Sequence, residues 1–326
     1  MKIFVTRKIP EPGLNILKKK FDLEINPYNR VLSKDEIIKG IKGKDGLLCL
    51  LTDEIDKEVI KSEPKLKMIA SYAVGYNNID IKTATKNNIP VSNTPGVLTD
   101  ATAEMAWALL LSTARRIVEG DKFSRAGKFK GWDPMLMHGQ EIADKTLGII
   151  GAGRIGTAIG LKSIGFNMKI LYSQRRINKI LEDNTNAKKV ELSVLLNSSD
   201  FISINVPLNN STYHLIGEQE LKMMKKTAIL INTSRGPVLD EKALINALKK
   251  RWIFAAGLDV YENEPDIDNE LKKLDNVILQ PHSASATTET RTKMAIMAAE
   301  NMITGLMGKI PPNCVNKEIF EKRFTK

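Results

Sequence analysis

Lys145-Thr-Leu-Gly-Ile-Ile-Gly-Ala-Gly-Arg-Ile-Gly156 is a short apolar run that breaks into glycines and then into a helical pattern. Thr146 to Ile150 reads as a buried strand, and Gly151, Gly153 and Gly156 as the turn and helix start that follow it. The first glycine permits a tight turn, the second lets the backbone come close to a pyrophosphate, and the third lets helix and strand pack closely. Phosphates would rest on the orphan N–H groups of a helix beginning near Arg154. The spacing predicts a dinucleotide-binding unit in the middle of the chain.

On either side of this stretch, strand-like and helix-like pieces alternate. Towards the N-terminus, Ile3 to Val5, Leu23 to Ile25, Gly46 to Leu50, Met68 to Ser71 and Pro90 to Ser92 read as strands. Helical stretches at 13–20 and 33–39 lie between them, the second opened by a capping box of Ser33 and Glu36. Towards the C-terminus, strands are expected at 168–172, 200–206, 227–232, 254–259 and 276–280, and helices at 154–164, 191–196, 218–223 and 240–250. This alternation predicts α/β architecture with doubly wound parallel sheets, and 326 residues are enough for two domains. Residues 99–118 form a helical pattern whose core, Met105-Ala-Trp-Ala-Leu-Leu-Leu111, is apolar nearly all round. Such a helix is central to a domain or shared with a second subunit, and a symmetric homodimer is expected to pack it. A last helix, 287–308, is too long to cap the final strand and is expected to cross back to the first domain. That would make the first domain discontinuous, 1–98 with 286–326, around an inserted unit of 99–285.

Composition narrows the class further. Cys49 and Cys314 lie outside any metal or redox motif, so no metal is expected and a reducing cytoplasm is the natural compartment. No apolar run reaches the ~18 residues that a membrane span requires. The net charge of +11 comes mostly from lysines scattered along helix surfaces, without blocks or interleaved aromatics. A solvated surface explains it, and neither a nucleic-acid nor a membrane partner is expected.

In open α/β sheets ligands bind beyond the carboxyl ends of the strands. Three such ends carry charged groups: Arg235 after strand 227–232, Glu264 after 254–259 and His282 after 276–280. Singly, each has an ordinary reading as a surface or loop residue. Together at matching strand ends, they suit the reduction of a keto acid. Arg235 supplies a planar bidentate cation for a carboxylate, His282 a proton for a developing alkoxide, and Glu264 a charge that favours the imidazolium. His138 and His214 read as surface residues.

Asn232-Thr-Ser-Arg-Gly-Pro-Val-Leu-Asp240, Gly257-Leu-Asp-Val-Tyr-Glu-Asn-Glu-Pro265 and Pro281-His-Ser-Ala-Ser-Ala-Thr287 resemble, with the glycine stretch, the signatures of the D-isomer-specific 2-hydroxyacid dehydrogenases. The resemblance covers essentially the whole chain. It implies a discontinuous flavodoxin-like substrate domain with an inserted Rossmann domain. Arg235 would bind the substrate carboxylate and carbonyl, His282 would be the acid/base and Glu264 its partner. Asp259 would meet the nicotinamide carboxamide, with Thr102, Gly151, Gly153, Arg154, Ile155, Gly156, Val206, Pro207, Thr212, Thr233 and His282 around the cofactor. Ser71-Tyr-Ala-Val-Gly75-Tyr-Asn-Asn-Ile-Asp80 resembles the loop whose amides at Val74 and Gly75 hold the carboxylate, with Leu51 and Ser285 nearby. Leu50-Leu-Thr-Asp53 resembles the glyoxylate and hydroxypyruvate reductase branch. Other readings within the family are a 3-phosphoglycerate or 2-ketogluconate dehydrogenase, and outside enzymes a nucleotide-sensing co-repressor.

Two departures from the family pattern stand out. Members specific for NAD carry an acid after the second strand of the nucleotide unit, where this chain has Ser173-Gln174-Arg175-Arg176. NADPH is therefore the expected coenzyme, with NADH possible. In the loop where some members insert a large aromatic into a partner's site, this chain has Trp132 and then Leu136.

Overall fold

A computed structural model describes residues 1–321. The chain divides into two compact units, Thr99–Ser285 and, on either side of it in sequence, Met1–Leu98 with the segment from Ala286. The last five residues of the expected 286–326 segment lie outside the described residues.

The first unit holds strands β1 (Lys2–Val5), β2 (Asp22–Ile25), β3 (Gly46–Cys49), β4 (Met68–Ser71) and β5 (Val91–Ser92). They form one sheet in the order β2-β1-β3-β4-β5, every neighbouring pair parallel. Side chains alternate across a strand, so Phe4, Leu47, Cys49 and Ile69 meet Ile37, Ile41, Val59 and Ile60 of the helices Lys34–Ile41 and Lys57–Ser62 on one face. On the other face lie the helices Glu11–Lys18 and Thr288–Leu306. Ser33 caps the helix Lys34–Ile41 and Glu36 returns the bond to the Ser33 amide, the full capping box. The helix Thr288–Leu306 buries Met294, Ala295, Ala298, Met302 and Leu306, and belongs to this unit. Its approach to the helix Glu11–Lys18 is close because Gly13 faces Ala295, where a Cβ would lie 2.5 Å from the carbonyl oxygen.

The second unit holds β6 (Thr146–Ile150), β7 (Lys169–Ser173), β8 (Lys188–Lys189), β9 (Phe201–Ile204), β10 (Ile229–Asn232), β11 (Ala255–Leu258) and β12 (Val277–Leu279). Their order is β12-β11-β10-β9-β6-β7-β8, again all parallel. The chain winds from β6 out to β8 and then restarts with β9 on the other side of β6. The switch in direction falls between β6 and β9, the place where an open α/β sheet leaves a crevice.

The expected helix over 99–118 is two helices, Thr99–Ala114 and Ile117–Arg125, separated at Arg116, which sits in the left-handed region with φ of 54°. The first is buried inside this unit. Ala103, Ala106, Trp107, Leu110 and Ala114 join the core beneath it. The Trp107 indole N–H donates to the Ile159 carbonyl at 3.1 Å and its ring stacks on Phe166. Glu104 and Ala108 are exposed. The apolar run thus supplies one covering layer of the seven-stranded sheet, and does not by itself call for a second subunit.

Replacing Gly13 with Ala should lower the thermal midpoint, because overpacking at a fixed carbonyl costs roughly 1–3 kcal/mol, more than helix propensity returns. Gly120→Ala, in a helix with nothing within 4 Å of the added methyl, should be neutral or stabilising. Thermal unfolding of the two variants beside the parent checks the contrast, and equal shifts would refute it.

Candidate active site

Gly151 follows β6 with φ of 89°, and a Cβ there would lie 2.7 Å from Val206 Cγ1 and 2.9 Å from the Asn205 carbonyl oxygen. A Cβ on Gly156 would collide with the Gly151 carbonyl. Gly153 is the N-cap of the helix Arg154–Lys162, has open space around it, and is followed by a first turn without an acidic residue. With no side-chain cap, the first amides of this helix are left for an anion. Chain geometry and donor chemistry both fit a dinucleotide phosphate.

Ser173 at the end of β7 and Gln174 after it are half-buried, and Arg175 and Arg176 are exposed. The Gln174 amide donates to the Arg176 carbonyl at 2.8 Å. Among the described residues neither arginine forms an ion pair. Asn178 ties this loop to the glycine turn: its Nδ2 donates to the Ala152 carbonyl at 2.8 Å and to Thr157 Oγ1 at 2.7 Å. Its own amide donates to the Tyr172 hydroxyl, and its Oδ1 caps the helix Lys179–Thr185.

The three charged groups emerge from β10, β11 and β12. Fully buried Asn232 shapes the loop after β10, accepting from the Ser234 amide and hydroxyl and donating to the Arg235 carbonyl. Arg235 itself is half-buried. Burial lowers its pKa and the Glu264 carboxylate opposes that shift. His282 Nδ1 lies 2.6 Å from Glu264 Oε2, with the two side chains 23% and 26% exposed. The other Glu264 oxygen accepts from the Tyr261 amide at 2.9 Å. Burial pushes the Glu264 carboxyl up, but the bond to His282, its charge, the Tyr261 amide and Arg235 together hold it below the ordinary carboxylate value.

Residues 107–284 match the family described as D-isomer specific 2-hydroxyacid dehydrogenase, NAD binding domain. The chain is also 52% identical over 324 residues to the glyoxylate reductase of Korarchaeum cryptofilum, covering 99% of this chain and 98% of that one. The chain belongs to the D-isomer specific 2-hydroxyacid dehydrogenases. A solved glyoxylate reductase from Paecilomyes thermophila superposes with a TM-score of 0.87 at 30% identity, over 98% of this chain and 99% of that one. The NADPH-dependent glyoxylate/hydroxypyruvate reductase of Sinorhizobium meliloti, solved with NADP and malonate, gives 0.85 at 28% identity, over 96% of each chain.

In this dehydrogenase, fully buried Asp259 spends both oxygens on the loop that carries His282, accepting from the Ser283 amide at 2.7 Å and the Ala284 amide at 2.9 Å. His282 is thereby held with φ of 51°. Thr212 Oγ1 donates to the Pro207 carbonyl and closes the loop after β9. Thr102 is buried, and the buried Thr233 hydroxyl has no partner among the described residues. Ser285, half-buried, ends this unit. In the other unit, Leu51 follows β3 and Val74 and Gly75 follow β4, all half-buried at the carboxyl edge of that sheet.

His138 is exposed, as expected. His214 is not the surface residue its polar neighbours suggest: it is half-buried, with Nε2 2.8 Å from Glu262 Oε1. Sequence reading also passed over Asn178. Its spacing to Leu181 is that of a helix N-cap, but no local signal shows that its Nδ2 reaches the glycine turn.

His282→Ala removes the main influence that holds the Glu264 carboxyl down, so Glu264 should take up its proton at higher pH than in the parent. Carboxyl-carbon NMR titration of Glu264 measures this directly, and an unchanged midpoint would mean that the imidazole does not stabilise the carboxylate.

Proposed function

We propose that this chain reduces glyoxylate, and hydroxypyruvate beside it, to the corresponding 2-hydroxy acids. The observation that carries the reading is the His282–Glu264 pair at 2.6 Å, with Arg235 at the same edge of a dinucleotide-binding sheet. Full-length similarity to glyoxylate reductases supports the substrate class. The Arg235 fork takes the substrate carboxylate and carbonyl oxygen, where a guanidinium provides two parallel donors. By likeness to the family, Val74 and Gly75 would offer backbone amides to a carboxylate, and Leu51 and Ser285 would be further substrate residues. When bound, the reduced nicotinamide supplies the hydride to the keto carbon. His282 Nε2 delivers the proton to the keto oxygen as it becomes an alkoxide, while Glu264 fixes the ring through Nδ1. In this reading Thr99–Ser285 binds the coenzyme and the other unit binds substrate. Asp259 holds in place the loop that carries His282.

We further propose that NADPH is the preferred coenzyme. Neither position 173 nor 174 is acidic, and two exposed guanidiniums lie where an adenosine 2′-phosphate would arrive, with charge-assisted bidentate bonds available. A homodimer is supported by the exposed apolar residues Phe129, Trp132 and Met135, of which Trp132 is 85% exposed. Buried, unbridged Cys49 and Cys314 suit a reducing cytoplasm.

His282→Ala should lower glyoxylate turnover by roughly 10²–10⁴-fold, the range for a positioned acid, with coenzyme affinity nearly unchanged. Steady-state assay at the nicotinamide absorbance band tests it, and parental turnover would remove His282 from the reaction.

The coenzyme reading has its own test. The parent should favour NADPH over NADH by roughly one to three orders of magnitude in kcat/KM, about 1.4–4 kcal/mol. Gln174→Asp with Arg175→Ala should move the ratio towards NADH. A parent that uses both coenzymes equally would reject the preference and leave the acid/base assignment intact.

A further inference from the structure

A second imidazole–carboxylate pair draws its carboxylate from the same short segment as the first. His214 comes from the loop after β9 and has φ of 48°. Its amide donates to the Pro237 carbonyl at 2.8 Å, and the next residues run beside the segment that follows Arg235: the Ile216 amide donates to Val238 and the Asp240 amide to Ile216. Its Nε2 meets Glu262 Oε1 at 2.8 Å. Glu262 is locked from the other side as well. Its Oε2 accepts from the Glu241 amide, while its own amide donates to Glu241 Oε2 at 3.1 Å. One residue earlier in the chain, the Tyr261 amide donates to Glu264, and the Tyr261 hydroxyl donates to the Gln280 carbonyl, two residues before His282. Gly236, next to Arg235, rests so closely on the Tyr261 carbonyl and the Glu262 amide that no Cβ could be placed there.

We propose that His214 and Glu262 form a positioning pair that sets Arg235 and Glu264 relative to one another; this rests on the roles assigned above to Arg235, Glu264 and His282. His214 touches neither substrate nor coenzyme in this reading. It acts through Glu262, whose segment, 261–264, carries Glu264 at one end and backs Gly236 at the other. The groups facing the pair are acidic or neutral: Asp240 Oδ2 lies 3.9 Å from His214 Nδ1, Glu241 bonds to Glu262, Asp268 lies beside Glu241, and Tyr213 stacks on the imidazole. Burial, with the charges of Glu262 and Asp268 adding to it, raises the Glu241 carboxyl. The imidazole is the donor that satisfies Glu262 within this acidic cluster. Without it, a half-buried carboxylate would lose its side-chain partner and the segment would shift to find another.

Two substitutions separate positioning from simple packing. An asparagine at 214 is suited to a left-handed φ, but its amide stands where Nδ1 stood and does not reach Glu262. A glutamine places its amide where Nε2 stood. His214→Asn should lower kcat for glyoxylate by roughly ten- to a hundredfold, the scale of small misplacements at a reacting centre. It should also move the basic limb of the kcat/KM profile to lower pH, since a displaced Glu264 favours the imidazolium less. KM for the coenzyme should stay near the parent. His214→Gln should restore both kcat and the limb. If Asn and Gln variants behave alike, or if Asn changes the melting temperature alone, the positioning role is overturned. His282→Ala in the same assay keeps the outcomes apart. If it is inactive while Asn and Gln match, only the pair fails; if it is fully active, the roles of the trio fail and the pair's role with them.

Discussion

Every strand of the seven-stranded sheet runs parallel to its neighbours, so the chain leaves each of them at the same edge. That constraint gathers the glycine turn after β6, the basic loop after β7 and the arginine, carboxylate and histidine after β10, β11 and β12. None of these is close in sequence to the rest. The helix Thr99–Ala114, the helix Arg154–Lys162 and the buried aliphatic residues of β6, β9 and β10 keep the sheet dry on its faces. The polar groups meet where the strands end.

Placing acids at that edge has an electrostatic consequence. A buried carboxylate is costly unless it is hydrogen-bonded. Asp259 meets the condition with two loop amides, and in doing so orients the residues that follow His282. Glu264 meets it with the imidazole and the Tyr261 amide, and Glu262 repeats the arrangement with His214. The edge is therefore a set of carboxylates whose partners are the loops that must be held still. Several ion pairs among the described residues, by contrast, join lysines and acids on exposed helices, such as Lys18 with Glu11 and Lys222 with Glu218, where each contributes little. The surplus of lysine shapes solubility more than the fold.

Arg175 and Arg176 stand apart from that surface population. Their loop is held to the glycine turn by Asn178, so the groups that would face the two ends of a nucleotide phosphate region are one connected piece of structure. Rigid support of this kind keeps the charged loop in one arrangement relative to the glycine turn.

The sequence by itself determined the α/β alternation, the glycine turn, the capping box at Ser33 and the three charged strand ends, because each rests on local periodicity or on residue types at fixed spacing. Short elements such as the helices Lys57–Ser62 and Ile81–Lys86 and the strand Lys188–Lys189 carried too few residues to show a period. The helix Thr99–Ala114 was legible as apolar, but whether a sheet or a second subunit covers it depends on where β10 and β11 lie, which no local pattern states. The same holds for Asn178 with the glycine turn and for His214 with Glu262. Those bonds join loops brought together only when parallel strands line up, and until then each side chain looks like an ordinary polar residue beside a turn.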